Sequence, residues 1–515
     1  MPVFDEDFDV VVAGYGFAGA AAAIEASDRG ARVLLIEKMA DPGGISICAG
    51  GGVRIARNAD DAFAYLKATN AGTTPEDILR VFADNLLILA DYIRELAKVS
   101  GATPIVRDRE ANYPLPGGHT FQFIEIDSIP GFDPIKAYPH ARARHSGPNL
   151  FKVLEDNIRQ RPIEVRLSAS AQRLITDTHG VVTGVTIEHA GRNSAIKARR
   201  AVILACGGFE ANHEMQRQYW QFSPVFSAVS RGNTGDGIRM AQAVGADLWH
   251  MWHFHGSYGF RHPDPDYPIG IRMKRLPDWT PGSEVRDVKM AWILLSKSGK
   301  RFMNEYAPYT QDTGHRPLDF FDPITQSFPH VPARVLIDEE GRKLYPLAHA
   351  VYNDRHANRY EWSEDNLKEV GRGMLRKANS VADLAALLKV EPGVLRETLD
   401  RWNAQCVQQR DDDFGRPGVT MVPIRTPPFY CGEVWPLVSN TQGGPVHDAR
   451  QRVLNPYGEP IPRLFEAGEL GSIWGHLYMS GGNLAECFIT GRIAGHEAAA
   501  AAPWDSAVRA ASAAA

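Results

Sequence analysis

The sequence predicts an α/β fold, a Rossmann-like layer of parallel strands and helices interrupted by an inserted α+β cap, and three observations predict it. A strand-like run, Phe8 to Ala13, opens into Gly14-Tyr15-Gly16-Phe17-Ala18-Gly19 and an Ala-rich helical stretch, and a second apolar run, Val33 to Ile36, ends at Glu37. Runs of the same character return far along the chain, at 201–209 and 464–469. Between them, from about 246 to 426, the composition shifts toward Pro, Trp, His and Tyr, and the glycine-rich turns disappear.

The first segment is a dinucleotide clamp. Gly14 allows the tight turn, Gly16 lets the backbone approach a pyrophosphate, and Gly19 lets the following helix pack on the strand so that its N-terminus faces the phosphates. Glu37 stands where a ribose hydroxyl would be held. Gly43-Gly44-Ile45-Ser46 and Ala49-Gly50-Gly51-Gly52 then form a second Gly-rich stretch, for which a nicotinamide enzyme has no evident use and which suits a buried, extended FAD. Ala201 to Leu204 reads as a buried strand ending on Cys206-Gly207-Gly208, with Arg231-Gly232-Asn233-Thr234-Gly235-Asp236-Gly237 after it. Near the C-terminus, Leu464-Phe465-Glu466-Ala467-Gly468-Glu469 precedes Ser480-Gly481-Gly482-Asn483-Leu484 and a helical run through Arg492, so glycines again sit at a helix start able to stabilise negative charge.

Between these pieces, Thr74-Pro75-Glu76 reads as cap, first-turn proline and acidic first turn of a helix to about 100. Ile163–Leu167, Gln172–Thr176 and Val181–Ile187 alternate as three short strands of a small meander in the cofactor domain. Ala382 to Leu388 and Gly393 to Asp411 carry apolar positions at helical spacing. The expected division is a cofactor domain in two parts, 1–245 and 427–500, around a substrate cap, 246–426, with an Ala-rich tail at 501–515.

A chain of 515 residues is long enough for two or three domains. Its net charge of −5, with short basic spots at Lys197 to Arg200 and Lys274-Arg275, argues against a nucleic-acid partner. The acidic start, Met1 to Asp7, lacks the pattern of a secretory leader, and no apolar run reaches the ~18 residues of a membrane span. Five scattered cysteines, Cys48, Cys206, Cys406, Cys431 and Cys487, form no paired motif, and a cytoplasmic setting is expected.

The four glycine-rich segments, in this order and across nearly the whole chain, resemble the flavoprotein family that contains fumarate reductase flavoprotein subunits, urocanate reductases and 3-ketosteroid dehydrogenases. The resemblance implies that Glu37 holds the adenosine ribose, Asp236 lies near the adenine end, Glu469 holds ribityl or ribose hydroxyls, and Gly482-Asn483 lies against the pyrimidine edge of the flavin. It also implies cofactor contacts from Ala18, Lys38, Gly44, Ser46, Gly51, Gly52, Ala171, Gly207 and Leu484. Covalently flavinylated members carry a histidine after the double glycine. Ile45-Ser46-Ile47-Cys48 stands here, so non-covalent FAD is expected.

The chemistry-bearing positions depart from the dicarboxylate reducers. Their proton-donating arginine stands four residues after the glutamate of a Gly-Lys-Arg-Phe-x-Asn-Glu segment. That segment is present as Gly299 to Glu305, and the fourth residue onward is Tyr309. Asn440 replaces the histidine before the Thr-x-Gly-Gly turn, and Tyr478, Met479 and Ser480 stand where an arginine would be. Without these cations a dianionic substrate would be left unpaired in a partly desolvated site, at a cost of several kcal/mol. Tyr309, Tyr478 and Ser480 instead resemble the two tyrosines and the serine of 3-ketosteroid Δ4-(5α)-dehydrogenases. Hydroxyls suit a neutral ketone: with Gly482 they would bind it and polarise its oxygen, and a tyrosine would take the neighbouring proton while hydride leaves to flavin N5.

The helix start Gly482 to Glu486 is closer to the fumarate-reductase-like version, which keeps an ene-reductase acting on an uncharged or monoanionic enone as the alternative. A non-catalytic flavin sensor is the remote one. The substrate is expected to be a small-molecule ketone, with a steroid as the candidate, and the chain carries neither haem nor iron–sulfur motif to identify an electron partner. Trp249-His250-Met251-Trp252-His253-Phe254-His255 lacks zinc-ligand spacing and reads as an aromatic wall; His476 would back the site, and His447 reads as a surface or capping residue.

Overall fold

The computed structural model describes residues 3–143, 146–279, 284–309 and 313–504. The end of the Ala-rich tail, 505–515, lies outside the described residues. The fold is the expected mixed α/β, and it divides into two compact units. One comprises Met1–Met215, Ser230–Phe254 and Asn440–Ala515; the other comprises Gln216–Val229 and His255–Ser439. The breaks thus fall at 215/216, 229/230, 254/255 and 439/440; the first two have no counterpart in the sequence expectation, and the last two stand against its 245/246 and 426/427. The strands Phe254–Arg261 and Phe429–Thr441 are shared features of the second unit's sheet, and they carry the boundary with them.

The first unit is built on strands β1 (Glu6–Ala13), β2 (Val33–Ile36), β3 (Val53–Ala56), β4 (Phe121–Ser128), β5 (Ile163–Arg166), β6 (Arg192–Leu204) and β7 (Pro460–Glu466). Five of them pair in parallel, in the order β7-β6-β1-β2-β5. Val10, Val11 and Val12 are buried on both faces, as the centre of a parallel sheet demands. Ile163–Arg166 is therefore not the first strand of a meander: it is the parallel edge beside β2, and the antiparallel part is formed by Ala169–Thr176, Val182–His189 and β6. A four-residue alternating run looks the same in either setting, and its partner is set by the chain before it.

Helix α1 (Phe17–Asp28) packs against α2 (Gly482–Ala500). Small residues let the two backbones close up: a Cβ on Gly491 would lie 2.6 Å from the Ala18 carbonyl oxygen, and one on Gly495 would lie 2.4 Å from that of Ala22. The long helix Glu76–Ser100 forms where expected, but Thr74 does not cap it. Its hydroxyl donates to the Ile473 carbonyl at 2.9 Å instead.

The second unit holds an eight-stranded sheet in which Phe429–Thr441 is central, flanked by Ala333–Ile337 and Phe254–Arg261. Helices Val381–Leu388 and Pro392–Gln408 cover it, with Leu384, Leu395, Leu399 and Trp402 buried. The second helix stops at Gln408, before the expected Asp411, where Gln409 takes a left-handed φ of +52°; Asp411 lies beyond it in a buried charge cluster. Arg301 reaches Glu305 at 2.8 Å and Asp411 at 3.0 Å, Arg416 reaches Glu305 at 3.5 Å, and the two guanidinium groups lie 4.5 and 4.9 Å from the Trp402 ring. Such a cluster is held by its geometry, since removing one member leaves a buried charge uncompensated. Among the described residues no helix is long and apolar enough to cross a membrane.

Candidate functional site: a glycine clamp and a tyrosine loop

The three clamp glycines differ physically. Gly14 has φ +107°, and a Cβ there would lie 2.2 Å from the Ala205 carbonyl oxygen. A Cβ on Gly19 would lie 1.8 Å from the Gly14 carbonyl oxygen, whereas on Gly16 its nearest neighbour would be Ser46 Oγ at 3.8 Å. Gly14 and Gly19 are therefore required by the protein's own backbone, and Gly16 leaves room for a ligand. Gly16 caps α1 without a side-chain bond, and the first turn carries no acid, so the N-terminal amides and dipole remain available to an anion.

Glu37 is buried and accepts the Tyr15 and Met39 amides at 2.9 and 2.8 Å; burial pushes its carboxyl up. Lys38 and Asp236, distant in sequence, meet at 2.5 Å, and Lys38 also donates to Thr234 at 2.6 Å. Gly44 lies against Gly16, and Ser46 opens a short 3-10 turn beside it. Ala171 lies on Ala169–Thr176, a strand whose Ala169 amide donates to the Glu37 carbonyl at 2.8 Å. A Cβ on Gly51 would strike Ser146, one on Gly52 would crowd Phe123 at 3.2 Å, and one on Gly207 would strike Asn233.

Glu469 has a partner the sequence did not reveal. One backbone amide, that of Thr441, donates to Glu469 at 2.8 Å and to Glu210 at 3.3 Å, and Asn233 donates to Glu469 at 3.2 Å. Burial and the neighbouring Glu210 hold Glu469 well above the usual carboxylate range. Several buried polar atoms of this unit have no protein partner: Asn483 Oδ1, Thr441 Oγ1, Asn440 Nδ2 and both amide ends of Gln442. Orphans of this kind are costly unless a ligand or water satisfies them. With the uncapped N-termini of α1 and α2 and the open space at Gly16, they fit a dinucleotide cofactor. Leu484 is buried in the first turn of α2.

Tyr478 and Ser480 lie half-buried just before α2. The Gly481 amide donates to the Tyr478 hydroxyl oxygen at 3.1 Å, and the Trp474 ring stands edge-on to Tyr478 at 6.0 Å. Gly481 has φ +78°, a Cβ there would lie 2.5 Å from the Phe123 ring, and one on Gly482 would lie 2.4 Å from the Trp474 ring. Ser480 is held at both ends of its backbone: its amide donates to Asn112 Oδ1 at 3.1 Å, and its carbonyl accepts Arg54 Nε at 2.7 Å. Neither Arg54 nor Asn112 was expected. The available signal was a charge in the apolar run Val53-Arg54-Ile55-Ala56.

Tyr309 belongs to the second unit and has φ +63°, a left-handed conformation that strains a bulky side chain and concentrates at functional positions. The Trp-His run is split, with His250 and His253 in the first unit and His255 in the second. His250 stacks on Trp249 at 4.6 Å with its ring nitrogens 2.8 and 3.1 Å from the Ser472 and Thr73 carbonyls, and His476 is exposed. No group of three or more His, Cys, Asp or Glu among the described residues could hold a metal. His447 is not a surface residue. It is buried with Nε2 3.4 Å from Glu466; burial lowers it to about 4 and holds Glu466 well above the carboxylate range.

A family model described as an FAD binding domain matches residues 9–484. The cytochrome fumarate reductase of Shewanella frigidimarina is 27% identical over 493 residues, covering 95% of this chain and 77% of that protein. The 3-oxosteroid 1-dehydrogenase of Mycobacterium tuberculosis is 26% identical over 583 residues, covering 95% and 98%. Among solved structures, the 3-ketosteroid Δ1-dehydrogenase of Sterolibacterium denitrificans in complex with 1,4-androstadiene-3,17-dione has a TM-score of 0.76 at 24% identity, covering 96% of this chain and all of that one.

Proposed function

The chain belongs to the FAD binding domain family, as a flavin-dependent oxidoreductase of the group that includes fumarate reductases and ketosteroid dehydrogenases, and from that premise we propose that it desaturates or reduces the C–C bond next to a ketone, with Tyr478 moving the proton. Gly14, Gly16 and the start of α1 would hold the pyrophosphate, Glu37 the adenosine ribose, Lys38 and Asp236 the adenine end, Glu469 the ribityl chain, and Asn483 the flavin. When bound there, FAD supplies the hydride acceptor or donor.

The single observation that carries the reading is the Gly481 amide on the Tyr478 hydroxyl at 3.1 Å, at the N-terminus of a 19-residue helix with no acid in its first turn. Tyrosine is a weak base in water. A backbone N–H on its oxygen and a helix N-terminus beside it both favour the phenolate, so Tyr478 can accept a proton α to a ketone. Ser480, two residues on, supplies a hydroxyl that polarises the ketone oxygen and makes that C–H more acidic. In the desaturating direction the α-proton goes to Tyr478 and the β-hydrogen leaves as hydride; in the reducing direction Tyr478 returns the proton.

A 3-ketosteroid is the preferred substrate class, since hydroxyls stand at positions where dicarboxylate reducers carry cations. An uncharged or monoanionic enone is the second reading, favoured by the Gly482 to Glu486 helix start. The test is anaerobic mixing: dithionite-reduced holoenzyme with 4-androstene-3,17-dione, and oxidised holoenzyme with the 5α-saturated diketone, following flavin absorbance. Flavin reoxidation or bleaching is expected with the steroids and not with fumarate or succinate. Efficient fumarate reduction would overturn the argument from missing cations. Acid precipitation should release FAD into the supernatant, because no histidine stands at the attachment position.

A further inference from the structure

Arg54 is 1% exposed, in the strand β3, and a buried guanidinium is costly unless its donors are used. Its guanidinium bonds both the loop before α2 and the segment 109–112. Nε donates to the Ser480 carbonyl at 2.7 Å, one terminal nitrogen donates to the Arg109 carbonyl, and the other reaches Asn112 Oδ1 at 3.4 Å. The Arg54 amide donates to the Gly481 carbonyl at 3.2 Å. The same Asn112 oxygen accepts the Ser480 amide at 3.1 Å. Both peptide groups of Ser480 are thus fixed, and that of Gly481 is fixed beside them.

The clamp is braced from behind. Phe123, directly opposite Arg54 on the neighbouring strand, places its ring 4.0 Å from the guanidinium carbon. The same ring crowds Gly481, where no Cβ would fit. Arg54 reaches this loop at the Ser480 carbonyl and, through its own amide, at the Gly481 carbonyl, so the effect argued here is carried through the backbone.

We propose that Arg54, with Asn112, is a positioning residue for the reaction: it fixes the Ser480-Gly481 peptide so that the Gly481 amide stays aimed at the Tyr478 hydroxyl. The proposal rests on the reading of Tyr478 as the proton-transfer group. A planar fork is needed to hold a carbonyl on Nε while bonding two further groups, and lysine lacks that geometry. Arg54→Lys therefore keeps the charge and loses the aim. Asn112→Ala loosens the same peptide from its other end at a half-buried position, where the fold tolerates the change.

The experiment titrates the tyrosinate absorbance of the FAD-loaded protein, wild type, Arg54→Lys and Asn112→Ala, each with and without Tyr478→Phe, so that the Tyr478 signal is the difference within each pair. The expected result is a wild-type midpoint below that of free tyrosine, raised by about one pH unit in both variants at unchanged FAD stoichiometry. An unmoved midpoint in Arg54→Lys and Asn112→Ala overturns the proposal and leaves the Tyr478 reading standing. A wild-type midpoint at the free-tyrosine value overturns that reading, and the proposal with it. Should Arg54→Lys fail to load FAD, Asn112→Ala decides in the same way.

Discussion

The glycine clamp at the start of the chain and the tyrosine loop before α2 are both turns that open a helix, yet they are held in opposite ways. In the clamp, backbone meets backbone: Gly14 against Ala205, Gly19 against Gly14, with the shape set by where a Cβ cannot go. In the loop, side chains from elsewhere hold the backbone: Arg54 on the Ser480 carbonyl and Asn112 on its amide, 426 and 368 residues away in sequence. A shape made by steric exclusion is written where it occurs. One made by distant hydrogen bonds leaves its record at the donors.

The contrast can be broken most forcefully at Gly19. Gly19→Ala places a methyl 1.8 Å from the Gly14 carbonyl, so the turn must open and FAD loading should be lost, read as flavin absorbance per protein. Gly16→Ala meets nothing closer than 3.8 Å and should fold with a near-wild-type Tm while binding FAD more weakly. If both variants behaved alike, the separation of fold-required from ligand-required glycines would fail.

In the loop the largest effect belongs to Tyr478→Phe, which keeps the ring against Trp474 and removes the proposed proton acceptor. Single-turnover flavin reduction by the saturated ketone should fall by ~10²–10⁴-fold with FAD content nearly unchanged. Ser480→Ala should cost less, since it removes one of several donors to the ketone oxygen. A Tyr478→Phe enzyme with wild-type rates would return that tyrosine to packing.

A smaller effect tests the support behind the loop. Glu486 accepts the Ile473 amide at 2.7 Å and the Ser472 hydroxyl at 2.9 Å, and burial raises it from 4.5 to about 8. Between those values the unfolded chain has released this proton and the folded one keeps it. Its contribution to stability is therefore lost progressively as pH rises from 4.5 toward 8, by about 1.4 kcal/mol per unit at most. Glu486→Gln cannot ionise and should show a shallower fall in Tm between pH 5 and pH 8. Parallel slopes for wild type and variant would place the ionisation elsewhere.

The parallel sheet was legible because Val10 to Val12 and Val33 to Ile36 are apolar without alternation, which suits strands buried on both faces. Ile163–Arg166 was assigned to the wrong partner because four alternating residues carry no information about which edge they join. His447 looked like a surface residue because Glu466, which it faces, belongs to another strand. At the site, Tyr478 and Ser480 were named from residue type and position. The Gly481 amide that meets the Tyr478 hydroxyl is a backbone group and has no letter in the sequence.

The charge cluster of the second unit has a consequence for how such a protein changes over time. Arg301, Glu305, Asp411 and Arg416 lock the segment that ends four residues before Tyr309 through ion pairs among themselves. On the proposed reading of Tyr309, exchanging it for arginine would change the charge offered to a substrate while the four residues of the anchor stay as they are.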